Sequence, residues 1–395
     1  MEYVKITSTL YYFSNALPQL RDTIEMRDDT MILEQFFNER NSSDSTRITY
    51  TRSCRYYEQL TGHTIQECLD IADDEEYNNI RWKNTQTRRW ILAYREWLYS
   101  EYNVSTAQLY LTAILTVYRH FEITIPPLPY FSKKGLKHST PINYDDLPDR
   151  ELLGEVLQGV SPLVRALILF MSSSGISRID VLNLTINDYL EATNEYHNSD
   201  SVKKAIKEMR DTDIIPTFHL TRQKTGQDYF TFCSHEAVKS INAYLLTRTE
   251  ILTRDRPLFK LHERYINMIF ERINEDFMLG KVGNYNRLRP HMLRKYHASQ
   301  LAESGMSTDH INLLQGRKVQ GIAHQHYIRI KPESLKEEYI NALPYLVIED
   351  VNQYKTENQQ LREENETFKS NLDDLWNELN NMKKRTNIWE DMKNG

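Results

Sequence analysis

From Thr30 to about Ile123 the apolar residues recur at helical spacing, one face at a time. MILEQFFNER (31–40) is the first such run. STRITYTRSCRYYEQLTG (45–62) follows, with Ser45 or Thr46 as its cap and Gly62 as its stop. QTRRWILAYREWLYSEY (86–102) and STAQLYLTAILTVYRHF (105–121) are two further amphipathic segments. IPPLPYFSKKGLKHSTP (125–141) breaks the pattern with prolines, a glycine and basic residues, and reads as a linker. Helical spacing then returns in SPLVRALILFMSSSG (161–175) and SRIDVLNLTINDYL (177–190), with Ser161–Pro162 and Ser177 at the two starts. Residues 191–213 are polar and read as an insertion. TFHLTR and DYFTFCS alternate with period two around QKTGQ, which predicts a β-hairpin with Gly226 in the turn and Lys224 at its tip. HEAVKSINAYLLTR (235–248) and ERYINMIFERINEDFM (263–278) are again helical.

The stretch Arg289–Ile330 reads as helix, turn, helix, turn, helix. Pro290 stands at a first helical position, Gly305 ends that helix, Ser307 caps the next and Gly316 ends it. Beyond it a heptad pattern begins at Val351. Its a sites are Val351, Asn358, Asn365, Leu372 and Leu379, and its d sites are Tyr354, Leu361, Phe368, Leu375 and Met382. Pairing each g residue with the following e residue of a second copy sets Asp350 against Lys355, Glu357 against Arg362, Glu364 against Lys369 and Glu378 against Lys383. All four pairs attract in a parallel, in-register homodimer, whereas an antiparallel arrangement brings like charges together. The expected division is an arm (1–28), an all-α domain (29–124), a basic linker (125–141), a mainly helical domain with a small antiparallel sheet (142–345), and a coiled coil (346–386).

At 395 residues the chain can bury more than one core. No apolar run is long enough to span a membrane and the N-terminus lacks the form of a secretory signal, so a cytoplasmic protein is expected. Cys54, Cys68 and Cys233 have no metal-ligand spacing, which predicts buried reduced thiols and no metal site. The acidic run Asp73–Glu76 is read as a solvated turn. Charge changes the picture most. The chain carries a net −6, yet residues 281–331 hold nine Lys/Arg against two Asp/Glu, together with five histidines. A basic patch inside an acidic chain calls for an anionic partner, and phosphate is the natural one.

Within that patch His291 and Arg294 share a helix face, Arg317 follows the next helix, and Tyr327 comes ten residues later. HMLR, then LLQGR, then a tyrosine resembles the second catalytic box of the tyrosine recombinases, the phage-integrase family. There the usual form is H-x-L-R, L-G-H and a tyrosine about nine residues on. SGISRIDVLNL resembles the first box of that family, whose common form is T-G-L-R-x-S-E-L. Ser177 occupies the arginine's position and Arg178 comes one residue late. A one-residue shift turns a helical side chain by about 100°. Asp180 matches the acidic residue of the box. Lys224, on its hairpin between the boxes, matches the family's catalytic lysine. The all-α domain is similar in pattern and position to the core-binding domain of the family.

The resemblance implies a core-binding domain that contacts DNA, followed by an α+β catalytic domain. It implies Arg178, Lys224, His291, Arg294, Arg317 and Tyr327 as the catalytic set. Tyr327 attacks phosphorus to leave a 3′-phosphotyrosine, the arginines hold the non-bridging oxygens, His291 takes a proton and Lys224 gives one. Arg317 stands where the family usually has histidine, and an arginine there donates a hydrogen bond but shuttles no proton. No cofactor is implied. The partners expected are double-stranded DNA and further copies of the chain, as a coiled-coil dimer or a tetrameric synapse. Three readings share these features: a site-specific recombinase or integrase similar to divergent archaeal ones, a type IB topoisomerase, and a degenerate integrase that only binds DNA as a dimer.

Overall fold

The computed structural model describes residues 30–199, 201–209, 213–317 and 331–349. The arm (1–28), Tyr327 with its neighbours His324 and His326, and the heptads from Val351 onward lie outside the described residues. The chain divides into two units between Pro141 and Ile142.

The first unit is helical: α1 (Thr30–Glu39), α2 (Asp44–Thr61), α3 (Ile65–Tyr77), α4 (Gln86–Glu101) and α5 (Val104–His120). Ser43 holds the N-cap position of α2 without a side-chain cap bond, two residues before the serine expected from sequence. α2 and α5 pack together and α4 packs on both. Tyrosine fills much of this core, and its hydroxyls are satisfied in pairs. Tyr57 and Tyr118 hydroxyls lie 3.0 Å apart, and the Tyr94 hydroxyl donates to the Ser53 carbonyl at 3.0 Å. Buried hydroxyls without partners would each cost about 1–3 kcal/mol, so the pairing is what lets so polar an aromatic serve as core.

One expectation is corrected in this unit. Asp73–Glu76 is the last part of α3, not a turn, and Glu75 accepts the backbone N–H groups of both Gln86 and Thr87 at the start of α4. The carboxylate is an N-terminal cap supplied from a neighbouring helix. The linker does not hang free over its first part. Leu128, Phe131 and Leu136 pack against the helical core, the Arg95 guanidinium donates to the Pro129 carbonyl at 2.7 Å, and the same guanidinium stacks on Phe131.

The second unit opens with α6 (Arg150–Gln158) and α7 (Pro162–Ser174). It continues through α8 (Arg178–Asn183), α9 (Ile186–Ala192) and α10 (Val202–Glu208) to the hairpin β1 (Thr217–Thr221) and β2 (Asp228–Phe232). After that come α11 (His235–Thr247), α12 (Glu263–Asp276) and the short pair β3 (Lys281–Val282) and β4 (Tyr285–Asn286). Its last helices are α13 (Pro290–Glu303), α14 (Thr308–Leu314) and α15 (Pro332–Leu346). β1 and β2 run antiparallel, Thr217 opposite Phe232 and Thr221 opposite Asp228. Both units are thus mainly helical, the second with small antiparallel sheets.

α7 is the axis of this unit. Residues Ala166 to Ser174 are all fully buried, and α11 and α13 pack against it. Ser161 precedes it without a side-chain cap bond, so Pro162 alone gives the start its chemistry. The polar segment 191–213 is not wholly solvent-facing. Val202, Ala205, Ile206 and Met209 face the core from α10.

The end of the described chain is clasped. Buried Glu236, at the start of α11, accepts the backbone N–H groups of Ile348 at 2.9 Å and Glu349 at 3.0 Å. Arg150 donates to the carbonyls of Pro344 and Tyr345, and Arg165 pairs with Glu349. Residues 346–348 are buried in this unit. Glu236→Ala should strand one buried and one partly buried N–H group and lower unfolding free energy by about 2 kcal/mol, read by chemical denaturation. A variant that unfolds with the wild-type midpoint would show that the clasp adds no stability.

Candidate active site

The site is built on the buried C-terminal end of α7. A helix end leaves carbonyls without intrahelical donors. Here three successive ones are satisfied by three other elements. The Ser173 carbonyl accepts from the Tyr339 hydroxyl on α15 at 2.8 Å. The Ser174 carbonyl accepts from the Thr231 hydroxyl on β2 at 2.7 Å. The Gly175 carbonyl accepts from Nη1 of Arg294 on α13 at 2.7 Å. Gly175 has φ +62, and a side chain there would drive a Cβ to 2.4 Å from His297 Nδ1. Only glycine serves both the turn and the close approach.

Arg294 is 5% exposed, and its second fork donates to the Gln315 carbonyl at 2.5 Å. The Gln315 side chain answers by donating to the Arg294 carbonyl at 2.9 Å and lies 3.1 Å from His297 Nδ1. The next carbonyl, that of Gly316, accepts from Nη1 of Arg222 at 2.8 Å. Gly316 is left-handed, and a Cβ there would meet the Tyr229 ring at 2.8 Å. Arg317 follows immediately. Residues 315–317 therefore gather three guanidiniums from three parts of the chain, and among the described residues none of the three has a carboxylate partner.

The electrostatics follow from that crowding. Burial, then the nearby charges of Arg317 and Arg222, bring the Arg294 pKa down to about 10. Burial and Arg222 lower that of Arg317. His291 lies on the same face of α13 as Arg294, with its side chain largely open to solvent. The chain packed around it and the cations Lys295, Arg289, Arg317 and Arg294 lower its pKa, which favours the neutral ring. Tyr229 is pushed up by burial and by Asp180, against the pull of Arg294 and Arg222.

Asp180 ties the first box to the hairpin. One oxygen accepts the Ser177 hydroxyl at 2.7 Å and the other the Gln223 N–H at 3.0 Å. Lys224 is exposed at the hairpin tip, next to that anchor. Arg178 is placed differently. It is the first residue of α8, and its guanidinium donates to Asn267 at 2.8 Å and pairs with Glu263 at 2.5 Å, both on α12. The structure thus brings Arg294, Arg317 and His291 together, leaves Lys224 exposed at the tip of the hairpin whose root reaches the same turn through Arg222, and turns Arg178 toward α12. Tyr327 lies outside the described residues. Arg222, Arg289 and Lys295 belong to the same basic environment, and the sequence reading named none of them as a site residue. Arg222 carried one signal: it stands two residues before Lys224 at the root of the hairpin.

A profile described as the phage integrase family matches residues 161–334, the stretch that holds Arg178, Arg222, Lys224, His291, Arg294 and Arg317. No curated protein matches the chain. Among solved structures, the lambda integrase tetramer bound to a Holliday junction is similar over 76% of this chain and 78% of its own, at 15% identity and a TM-score of 0.47. The Tn1549 transposon integrase in complex with circular intermediate DNA is similar over 78% and 97%, at 13% identity and 0.46. XerA recombinase is similar over 78% and 95%, at 16% identity and 0.31. The match to the phage integrase family thus covers most of the second unit and none of the first. Among the described residues no helix is long and apolar enough to cross a membrane.

His297 gives the site a pH signature. Its ring is fully buried, and burial together with Arg294 and Arg317 pushes its pKa down to about 3 from 6.5. Above 6.5 the ring is neutral in folded and unfolded chains alike. As pH falls below that, the unfolded chain takes up a proton that the folded one refuses, so stability is lost down to the folded value. Denaturation midpoints measured from neutral pH down to about pH 4 should fall, and His297→Gln should flatten the slope. An unchanged slope in the variant would assign the acid sensitivity to other groups.

Proposed function

We propose that the protein is a site-specific DNA recombinase that cuts and rejoins double-stranded DNA through a 3′-phosphotyrosyl link. The observation that carries this reading is the cluster of guanidiniums around residues 315–317, held by backbone carbonyls and lacking carboxylate partners among the described residues. Such a cluster is costly by itself and is relieved by an anion with several oxygens. A phosphodiester gathers negative charge on its non-bridging oxygens as a nucleophile adds, so donors fixed in advance favour the transition state.

Tyr327 is the proposed nucleophile. Its oxygen bonds to phosphorus, the bond from phosphorus to the 5′ oxygen breaks, and the DNA keeps its 3′ end on the protein. His291, favoured as the neutral ring by the cations around it, takes the tyrosine proton. Lys224 protonates the departing 5′ oxygen. Arg294 and Arg317 hold the phosphate, while Arg178 stands on α8 with Glu263 and Asn267 as its partners. Attack of the 5′ hydroxyl on the phosphotyrosine reverses each transfer and restores the strand. The heptads from Val351 supply the parallel dimer that brings two such sites to one DNA assembly.

The engagement of Arg178 by Glu263 and Asn267 favours one alternative, a DNA-binding dimer that no longer cuts. Covalent trapping on nicked suicide duplexes separates the two. The duplexes are drawn from DNA flanking the gene, and wild type is run beside Tyr327→Phe. An adduct that survives heat and detergent and vanishes in the variant supports cleavage by Tyr327. An adduct that persists points to another tyrosine, and binding without any adduct favours the DNA-binding dimer. For assembly, sedimentation of the full chain should give a dimer, and Leu372→Glu with Leu375→Glu should give a monomer. A monomeric wild type would remove the tail from the proposal.

A further inference from the structure

Resting on the recombinase reading, we propose that Arg222 is a catalytic residue: it supplies a third guanidinium that holds the scissile phosphate alongside Arg294 and Arg317. The two side chains donate to adjacent carbonyls, Arg222 to Gly316 at 2.8 Å and Arg294 to Gln315 at 2.5 Å. Adjacent carbonyls of one turn lie a few ångströms apart, so the two forks stand side by side. Arg178 faces α12 instead, with Glu263 and Asn267 as its partners. The position in the first box from which an arginine would turn inward holds Ser177, and its hydroxyl is occupied by Asp180.

Arg222 is also incompletely satisfied. Its Nε is buried without a hydrogen-bond partner among the described residues, and so is the hydroxyl of Tyr229 beside the same turn. A guanidinium has five N–H donors, and Gly316 accepts from one Nη. Buried donors are nearly always paired in folded proteins, so an unpaired set at one place marks a position for a ligand oxygen. Among the described residues no carboxylate pairs with Arg222, so a structural ion pair does not explain its burial. The backbone holds it from two sides. Its own N–H donates to the Gln227 carbonyl at 2.8 Å, closing the hairpin, and the next residue's N–H is fixed on Asp180 at 3.0 Å. The guanidinium is therefore set in advance, as transition-state stabilisation requires.

The test has two arms, both on the full chain. In the first, inorganic phosphate is titrated at constant ionic strength, with chloride making up the difference, and thermal unfolding is followed. Wild type should be stabilised by phosphate beyond the chloride control. Arg222→Gln should weaken the apparent phosphate affinity by about tenfold or more, the loss expected for one charge-assisted donor pair. Arg272→Gln, on an exposed face of α12, should leave it unchanged. Arg222→Lys keeps a charge and a donor for Gly316 but loses the fork, so it separates holding the turn from holding phosphate. It should fold as wild type and still bind phosphate more weakly. In the second arm, adduct formation on a suicide duplex should drop in both Arg222 variants while DNA binding persists.

Phosphate affinity in Arg222→Gln equal to wild type would overturn the proposal, as would the absence of any phosphate-specific stabilisation in the wild type. Normal adduct yield in Arg222→Gln would overturn it too, while leaving the recombinase reading intact. Phosphate binding that depends on Arg222 in a protein that forms no adduct would keep the anion site and end the recombinase reading.

Discussion

A helix that stops inside a protein leaves carbonyl oxygens with nothing to accept from, and the second unit is arranged around one such stop. Ser173, Ser174 and Gly175 end α7 in the interior, where unpaired carbonyls would cost about 1–3 kcal/mol each. The donors come from α15, β2 and α13, elements far apart in sequence. One requirement of backbone chemistry thus fixes where three elements meet. Because one of the three donors is an arginine, the same requirement puts a cation into the interior beside the turn at 315–317.

That arginine sets the character of everything around it. Arg294 spends part of its fork on Gly175 and Gln315, and Gln315 returns a bond to the Arg294 carbonyl and reaches His297. The ring of His297, pressed against Gly175, stays neutral because no further charge can be afforded there. Arg222 and Arg317 add like charge to the same turn. The packing holds them, but their charge is left for something else to meet, and this imbalance separates the site from a salt-bridged core.

What the sequence made legible was local chemistry. Pro290 starts α13, Gly175 ends α7, and Ser177 caps α8, because each effect is decided within a few residues. The hairpin around QKTGQ was legible for the same reason. Two helices were legible and passed over: Ile65, Cys68, Leu69 and Ala72 in α3, and Val202, Ala205, Ile206 and Met209 around α10, each repeat at three and four residues. Acidic and polar neighbours hid them. The roles of Arg178 and Arg222 were not readable from local pattern. One is decided by Glu263 and Asn267 and the other by the Gly316 carbonyl, partners more than eighty residues away in the chain. Glu75 is a milder case, since its partners belong to the helix that follows.

The hairpin joins the unit at its root and stands clear at its tip. Asp180 grips the Gln223 N–H, Gly316 grips the Arg222 guanidinium, and Lys224 to Gly226 are exposed. Mechanically this makes the hairpin a short lever whose fulcrum is shared with the turn at 315–317. Arg294 and Arg222 are each tied to one of two adjacent peptide oxygens of that turn, and Lys224 follows Arg222 by two residues. Cations drawn from distant stretches of chain thus take a single peptide turn as their common anchor.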